Sequence, residues 1–343
     1  MFDYIRKINL QLFAGELNTN VTTDAGLSVE NKTFYDMTLI EEASPNLIHD
    51  QFGQKRPIPK NGGKKIEFRK YASLPKALVP LTEGVTPDGK KLSVTAIEAE
   101  VAQYGDYVTL SDILDLTAID NNVLEATKAI GKQAGLTLDT ITRNVLQSGT
   151  NVYYCPKVGA DGTKTKVDDR TGLDATCKLT VDVVKKVVTI LKAANVPKIN
   201  GDYVAIIHPY VGGDLMNDPK WEDYHKYAKP ENLYEGEIGR IAGVRFVETS
   251  EAAIYTGAEH DCPTGLAVFG CLFLGQGAYG VTEVTGGGLQ TIVKQLGSAG
   301  TADPLNQRST VGWKAIKTAE ILLDPYMIRV ECCSDFSSEA TAN

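Results

Sequence analysis

The chain has 343 residues and a mass of 37.1 kDa; with 43% hydrophobic and 23% charged residues it can build one large or two modest folded domains. A formal net charge of -8 argues against a protein organised around gripping nucleic acid, which needs a basic face. Six cysteines without a C-x-x-C pair argue against a disulfide framework or a zinc site, and the most apolar stretch, Leu266 to Val281, is interrupted by glycines and falls short of the ~20 residues of a membrane span.

Residues Ile8 to Phe13 alternate and read as the anchor of an arm, and residues 15–32 are too polar to fold alone. A short helix is expected from Lys32 to Leu47, stopped near Pro45. The run Lys55 to Lys70 holds seven basic residues and one acidic residue, Glu67. Its second half alternates, with Ile66 and Phe68 on one face and Lys65, Glu67 and Arg69 on the other, which is strand periodicity. After a Pro/Gly-rich stretch (Pro75, Pro80, Gly84, Pro87 to Gly89), one long second strand is expected over Lys91 to Leu110. An isolated hairpin of this kind is marginal in water, so it should rest on another surface.

Ser111 and Asp112 can cap a short helix carrying Ile113, Leu114 and Leu116. Asp120 can cap a long one ending near Gln147, with Val123, Thr127, Ile130, Ala134, Leu138, Ile141 and Val145 on one stripe. Residues 150–180 suggest a further strand pair, and Thr180 opens a helix that buries Val184, Val187, Val188 and Leu191. Strands are expected at Tyr203 to His208, Val244 to Val247, Leu266 to Leu274 and Ala278 to Val284, with a helix at Leu215 to Tyr227. Residues 180–300 thus form a mixed α/β region, and Thr310 to Glu331 reads as strands returning to an earlier part of the chain.

Little in the chain points to catalysis. Gly275 to Gly280 matches G-x-G-x-x-G, but strand residues follow where a dinucleotide site needs a helix, so the motif reads as a turn. His49, His208, His225 and His260 show no metal-ligand spacing and read as core or surface residues. No nucleophile–base pair, cofactor site or metal site can be nominated. The basic run has three readings: a solvated hairpin face, a nucleic-acid patch, or a docking strand meeting an acidic surface of a neighbouring copy. In the third, Lys55, Arg56, Lys64, Lys65, Arg69 and Lys70 would face Asp112, Asp115, Asp120 and Glu125 around the starts of the two helices.

The order arm, long hairpin, long helix, α/β region and return strands resembles the Hong Kong 97-like fold of tailed-bacteriophage major capsid proteins, an α+β fold. The stretches at residues 9–14, 49–71 (HDQFGQKRPIPKNGGKKIEFRKY), 81–89 (LTEGVTPDG), 107–122 (YVTLSDILDLTAIDNN), 243–248 and 296–315 are similar to the N4-like branch of that family. The resemblance implies an N-terminal arm at 1–54, an E-loop hairpin at 55–108 lying over an adjacent subunit, and a P-domain with its spine helix at 109–179. It further implies an A-domain at 180–300, P-domain return strands at 301–335 and a tail at 336–343. The implied function is self-assembly, as hexamers and pentamers, into an icosahedral head shell enclosing double-stranded DNA without sequence specificity. Portal, scaffold and decoration proteins are candidate partners, with no membrane, cofactor or enzymatic activity, and assembly takes place in the bacterial cytoplasm. A nanocompartment of the same fold, an oxidoreductase using Gly275 to Gly280, and a DNA-binding protein using the basic run are the competing readings.

Overall fold

The computed structural model describes residues 38–39, 42–43, 47–59, 63–71, 74–81, 83–84, 86, 88–117, 122–221, 237–283, 287–298, 300 and 303–343. Residues 1–37, which include the anchor at 8–13 and the polar stretch at 15–32, lie outside them, as do Pro87, Asp120 and His225. The chain opens with β1 (Gln54–Lys55), β2 (Lys65–Tyr71), β3 (Val94–Glu100) and β4 (Ala102–Ser111). Helices α1 (Asp112–Thr117) and α2 (Asn122–Gln147) follow, then β5 (Val152–Tyr154), β6 (Lys157–Val158), β7 (Lys164–Thr165) and α3 (Val181–Ala193). Next come β8 (Tyr203–Ile207), α4 (Pro209–Met216), β9 (Glu237–Ile241), β10 (Val244–Glu248), β11 (Ala253–Tyr255) and β12 (Val268–Leu274). The chain ends with β13 (Tyr279–Glu283), β14 (Gln290–Lys294), β15 (Arg308–Ile321) and β16 (Met327–Cys332).

Two sheets organise the body. The larger runs β5-β16-β12-β8-β10-β9, with β11 also on β12. Residues of β8 alternate between its two faces, as a strand must. Tyr203, Ala205 and Ile207 pack in the core under α3 and α4, while Val204 and Ile206 face a second core with Ile48, Phe52, Leu146 and Met327. The smaller sheet centres on β15, whose fourteen residues pair with β4, β13 and β14, while β1 adds in parallel to β13. These sheets interleave the chain order. β5 and β16 join the large sheet from either side of residues 180–300, and β13 and β14, inside that range, join the sheet of β15.

Helix α2 is the spine. Its 26 residues span about 39 Å. Thr127, Ile130, Ala134 and Leu138 of the expected stripe are buried, the last three packed with Val311, Trp313 and Ala315 of β15. Gly131 leaves room for an approaching segment, since a Cβ there would lie 3.0 Å from the Leu39 carbonyl oxygen. Of the helix expected over 32–47, residues 38–39 and 42–43 are helical, and Leu39 and Ala43 are buried. The short helix also holds: the Ser111 hydroxyl accepts the Leu114 N–H at 3.3 Å and Asp112 accepts that of Ile113 at 2.8 Å.

Two expectations need correction. The run expected as one strand from Lys91 to Leu110 is two, β3 and β4, parted at Val101. β3 pairs with β2 in the hairpin, in register from Lys65–Glu100 to Tyr71–Val94, whereas β4 pairs with Arg308–Lys317 of β15. A partner some two hundred residues away leaves no local signal in β4. The helix expected at Leu215 to Tyr227 instead begins at Pro209, where His208 caps it by accepting the Tyr210 N–H at 3.2 Å on Nδ1, and it ends at Met216. Helical residues resume at 219–221, and 222–227 lie outside the described residues. At Gly212 the Glu248 carboxylate lies against the helix backbone, where a Cβ would make it move.

Candidate assembly surfaces and a buried polar clasp

The hairpin of β2 and β3 stands on the body at one root. Phe68, 4% exposed, packs its ring on Gly280, where a Cβ would lie 2.8 Å from the ring. Gly53 makes the same allowance for Tyr279 beside it. Gly275 to Gly280 is the turn from β12 into β13, with Gly277 at φ +76, so these glycines serve close backbone packing and a strand follows them. Gly280→Val is expected to push Phe68 out and to destabilise by about 1–3 kcal/mol. Urea unfolding and the rate of protease cleavage in the hairpin would measure it.

Beyond the root the hairpin is bare. Leu74, Leu78, Val79, Leu81, Leu92 and Val94 are all exposed, Leu78 and Val79 by more than four-fifths. Other large apolar side chains left exposed are Tyr107 and Val108, on opposite faces of β4, and Ile113, Leu114 and Leu116 of α1. Monomeric proteins rarely leave large contiguous apolar patches in water; such patches mark contact with another macromolecule.

Of the basic residues expected to dock, Lys55, Arg56, Lys64, Lys65 and Arg69 are exposed. Two are partnered within the hairpin, Lys65 with Glu98 at 3.2 Å and Arg69 with Glu67 at 3.3 Å. Arg56 sits over the Phe68 ring, 5.9 Å from its centre. Lys70 lies in β2 and Asp115 in α1, but their side chains are not among those described, and Asp120 lies outside the described residues. Asp112 caps α1, and Glu125 holds Lys128 one turn on at 2.8 Å. Among the described residues, neither Asp112 nor Glu125 pairs with the hairpin of the same chain.

Sequence reading missed a buried polar clasp below the hairpin root. The Asp139 carboxylate on α2 accepts the His49 backbone N–H at 2.7 Å and its Nδ1–H at 2.6 Å, and both residues are fully buried. Next to them Asp50 accepts the Thr142 hydroxyl at 2.6 Å and forms an ion pair with Lys317 of β15, which also donates to the Leu138 carbonyl at 2.8 Å. The Tyr279 hydroxyl donates to the His49 carbonyl. Four side chains from α2, β13 and β15 thus grip two consecutive residues. Adjacent charged residues next to the apolar Ile48 and Phe52 were the only sequence signal.

A second buried cluster ties the return strand to the large sheet. Arg170 donates two bonds of 2.6 Å to Glu331 of β16, which also lies 3.0 Å from Arg329 Nε, and the Arg170 guanidinium lies 4.0 Å over the Tyr255 ring. Hydrogen bonds to Glu331 push the Arg170 guanidinium above its ordinary pKa and keep it charged. His208 is set the other way: burial lowers it to about 4. The folded state therefore binds this proton less readily than the unfolded chain, and stability is lost as pH falls from about 6.5 towards 4. The loss attributable to His208 is expected to be on the order of 2 kcal/mol. His208→Asn, which retains a capping acceptor, should flatten that part of the curve of unfolding free energy against pH.

The six cysteines are free thiols, and among the described residues no group of three or more His, Cys, Asp or Glu is placed to hold a metal. No described helix is long and apolar enough to cross a membrane.

The fold is found in phage shells. The capsid of Ralstonia phage GP4 matches with a TM-score of 0.61 at 15% identity, covering 83% of this chain and 87% of that one. The cyanophage Pam1 capsid matches at 0.59 and 15%, covering 86% and 93%. The head structure of Helicobacter pylori bacteriophage KHP40 matches at 0.58 and 11%, covering 81% and 88%. Among curated proteins no sequence match is found. The architecture is the Hong Kong 97-like fold of tailed-phage major capsid proteins, as the element order implied. The sequence profile of the family described as phage capsid protein matches residues 94–328, and the chain belongs to that family. It is a major capsid protein, a subunit of a phage head shell and so a component of the virion.

Proposed function

We propose that the chain assembles as hexamers and pentamers into a closed icosahedral shell around double-stranded DNA, with the hairpin of one copy lying over the body of the next. The observation that carries this is two sets of exposed apolar side chains, those of the hairpin beyond Phe68 and Ile113, Leu114 and Leu116 of α1, which one chain leaves in water. The basic flank of the hairpin, from Lys55 to Lys70, supplies charge that meets Asp112, Asp115, Asp120 and Glu125 of the neighbour. In this reading the arm is 1–54, the hairpin 55–108, the P-domain 109–179 with 301–335, the A-domain 180–300 and the tail 336–343, and membership of the N4-like branch rests on the stretches quoted above. The role is structural, with no catalytic step, and assembly takes place in the bacterial cytoplasm with portal, scaffold and decoration proteins as partners.

Electron microscopy and sedimentation of the expressed chain, alone and with candidate scaffold proteins, test it. Closed shells or capsomer rings are expected. A small monodisperse species under every condition, or binding of nicotinamide cofactors at Gly275 to Gly280, would count against it.

A further inference from the structure

A different face of the molecule carries a site of its own. β5 is an edge strand of the large sheet, and the β6–β7 ribbon and helix α3 stand beside it. Between them lies an open cavity of about 410 Å³ lined by Tyr153 and Tyr154 from β5, by Lys164, Lys166 and Asp168 from β7 and the residues after it, and by Lys186 from α3. Three lysines therefore line one hollow with a single carboxylate-bearing residue, Asp168, in a chain whose net charge is -8.

The pairing inside the cluster leaves positive charge over. Lys164 is 2.9 Å from Asp182, but Asp182 is shared with Lys220 at 2.6 Å, and these two lysines hold its carboxyl down at about 2. Lys166 pairs with Asp168, both of them exposed. Among the described residues Lys186 has no acidic partner, and its exposed position on α3 leaves its ammonium free to meet a ligand. The floor is aromatic: Tyr153 is half-buried against the main core.

We propose that this hollow binds a phosphate ester, the lysines meeting the phosphate and Tyr153 offering a ring to an unpaired base. Lysines around a stacking ring are the general chemistry of unpaired nucleotide recognition, and ring stacking discriminates against a plain carboxylate. The inference needs only these residues and stands apart from the shell reading. The phosphate comes either from a nucleic-acid strand or from a free nucleotide, and the cavity's chemistry is common to both.

The test is fluorescence anisotropy of the purified full-length chain, in the form it adopts, with a labelled oligodeoxythymidylate of about ten nucleotides. ATP, inorganic phosphate and a polyglutamate peptide serve as competitors. Lys166→Ala with Lys186→Ala is expected to weaken oligonucleotide binding roughly tenfold and to make the slope of log affinity against log salt shallower by about 1.4. The melting temperature and the sedimentation profile should stay unchanged. Lys90→Ala with Lys91→Ala, on the hairpin, should leave binding unaltered. Competition by ATP as effective as unlabelled strand identifies a nucleotide site, and competition by strand alone identifies a nucleic-acid site; both support the proposal. Equal binding by wild type and the Lys166/Lys186 double variant overturns it, as does polyglutamate competing as well as the strand, which would make the hollow a seat for acidic peptides. A wild type that binds but builds no shell would speak against the shell reading alone.

Discussion

Replacing Lys317 by alanine is expected to lower the unfolding free energy of the subunit by about 3–5 kcal/mol. Lys317 is 2% exposed and its ammonium is held by Asp50 and the Leu138 carbonyl. Removing it leaves the Asp50 charge facing the hydroxyl of Thr142 alone, in a region too dry to screen it. The cost comes mostly from the stranded carboxylate, so a second variant separates the causes. Asp50→Asn together with Lys317→Met removes both charges and retains an acceptor for Thr142, and it should recover most of the loss. Urea unfolding of the two proteins decides it. A loss below about 1 kcal/mol for the single variant would mean that water reaches Asp50 and that the clasp is not a dry ion pair. The position of the clasp matters for assembly. It fixes residues 49–50, just before β1 and the hairpin, to both α2 and β15. A subunit with a loosened clasp should therefore lose hairpin order before it loses its core.

Much of this fold was legible because its elements obey local periodicity. The stripe of α2 and the buried face of α3 follow from helical spacing, and the strand expected at Leu266 to Leu274 follows from an apolar run with one glycine, Gly270, of which Val268–Leu274 is buried throughout as β12. The clasp was illegible for a reason visible in β15. Its inward face is Val311, Trp313, Ala315, Lys317 and Ala319, while Ile316 lies on the other side. Lys317 thus stands in the inward set between Ala315 and Ala319, where alternation alone would place an apolar residue. Only the position of Asp50, 267 residues away in sequence, makes a lysine acceptable there. The split at Val101 has the same origin, since β4 takes its place from β15 and not from its own pattern. His49 carried a weak signal. The sequence left it as a core or surface histidine; it is fully buried, and its Asp139 partner is 90 residues further along the chain. The hairpin was the reverse case: its need for a partner could be read from sequence, while the identity of the partner surface depends on a second copy.

That need gives the other large effect. Leu78→Glu, Val79→Glu and Leu81→Glu together are expected to abolish shell formation while leaving the isolated subunit's melting temperature within about a degree, because exposed positions away from buried contacts contribute within ±0.5 kcal/mol. All three side chains are more than three-quarters exposed in the single chain, so folding gains nothing from them. Buried against a neighbour, each would contribute about 1.5–3 kcal/mol. Association does not return that area in full, since ordering the hairpin opposes it. Even a loss of about 2 kcal/mol per contact raises the subunit concentration needed for assembly roughly 30-fold, and a closed shell repeats the contact at every subunit. Sedimentation and electron microscopy of the triple variant against wild type give the answer. Shells forming at the same concentration would show that the hairpin points away from its neighbours. A triple substitution of Ile113, Leu114 and Leu116 to glutamate on α1 provides the matching half of the test. If the two surfaces meet each other, combining both triple variants should add little to the loss caused by either one.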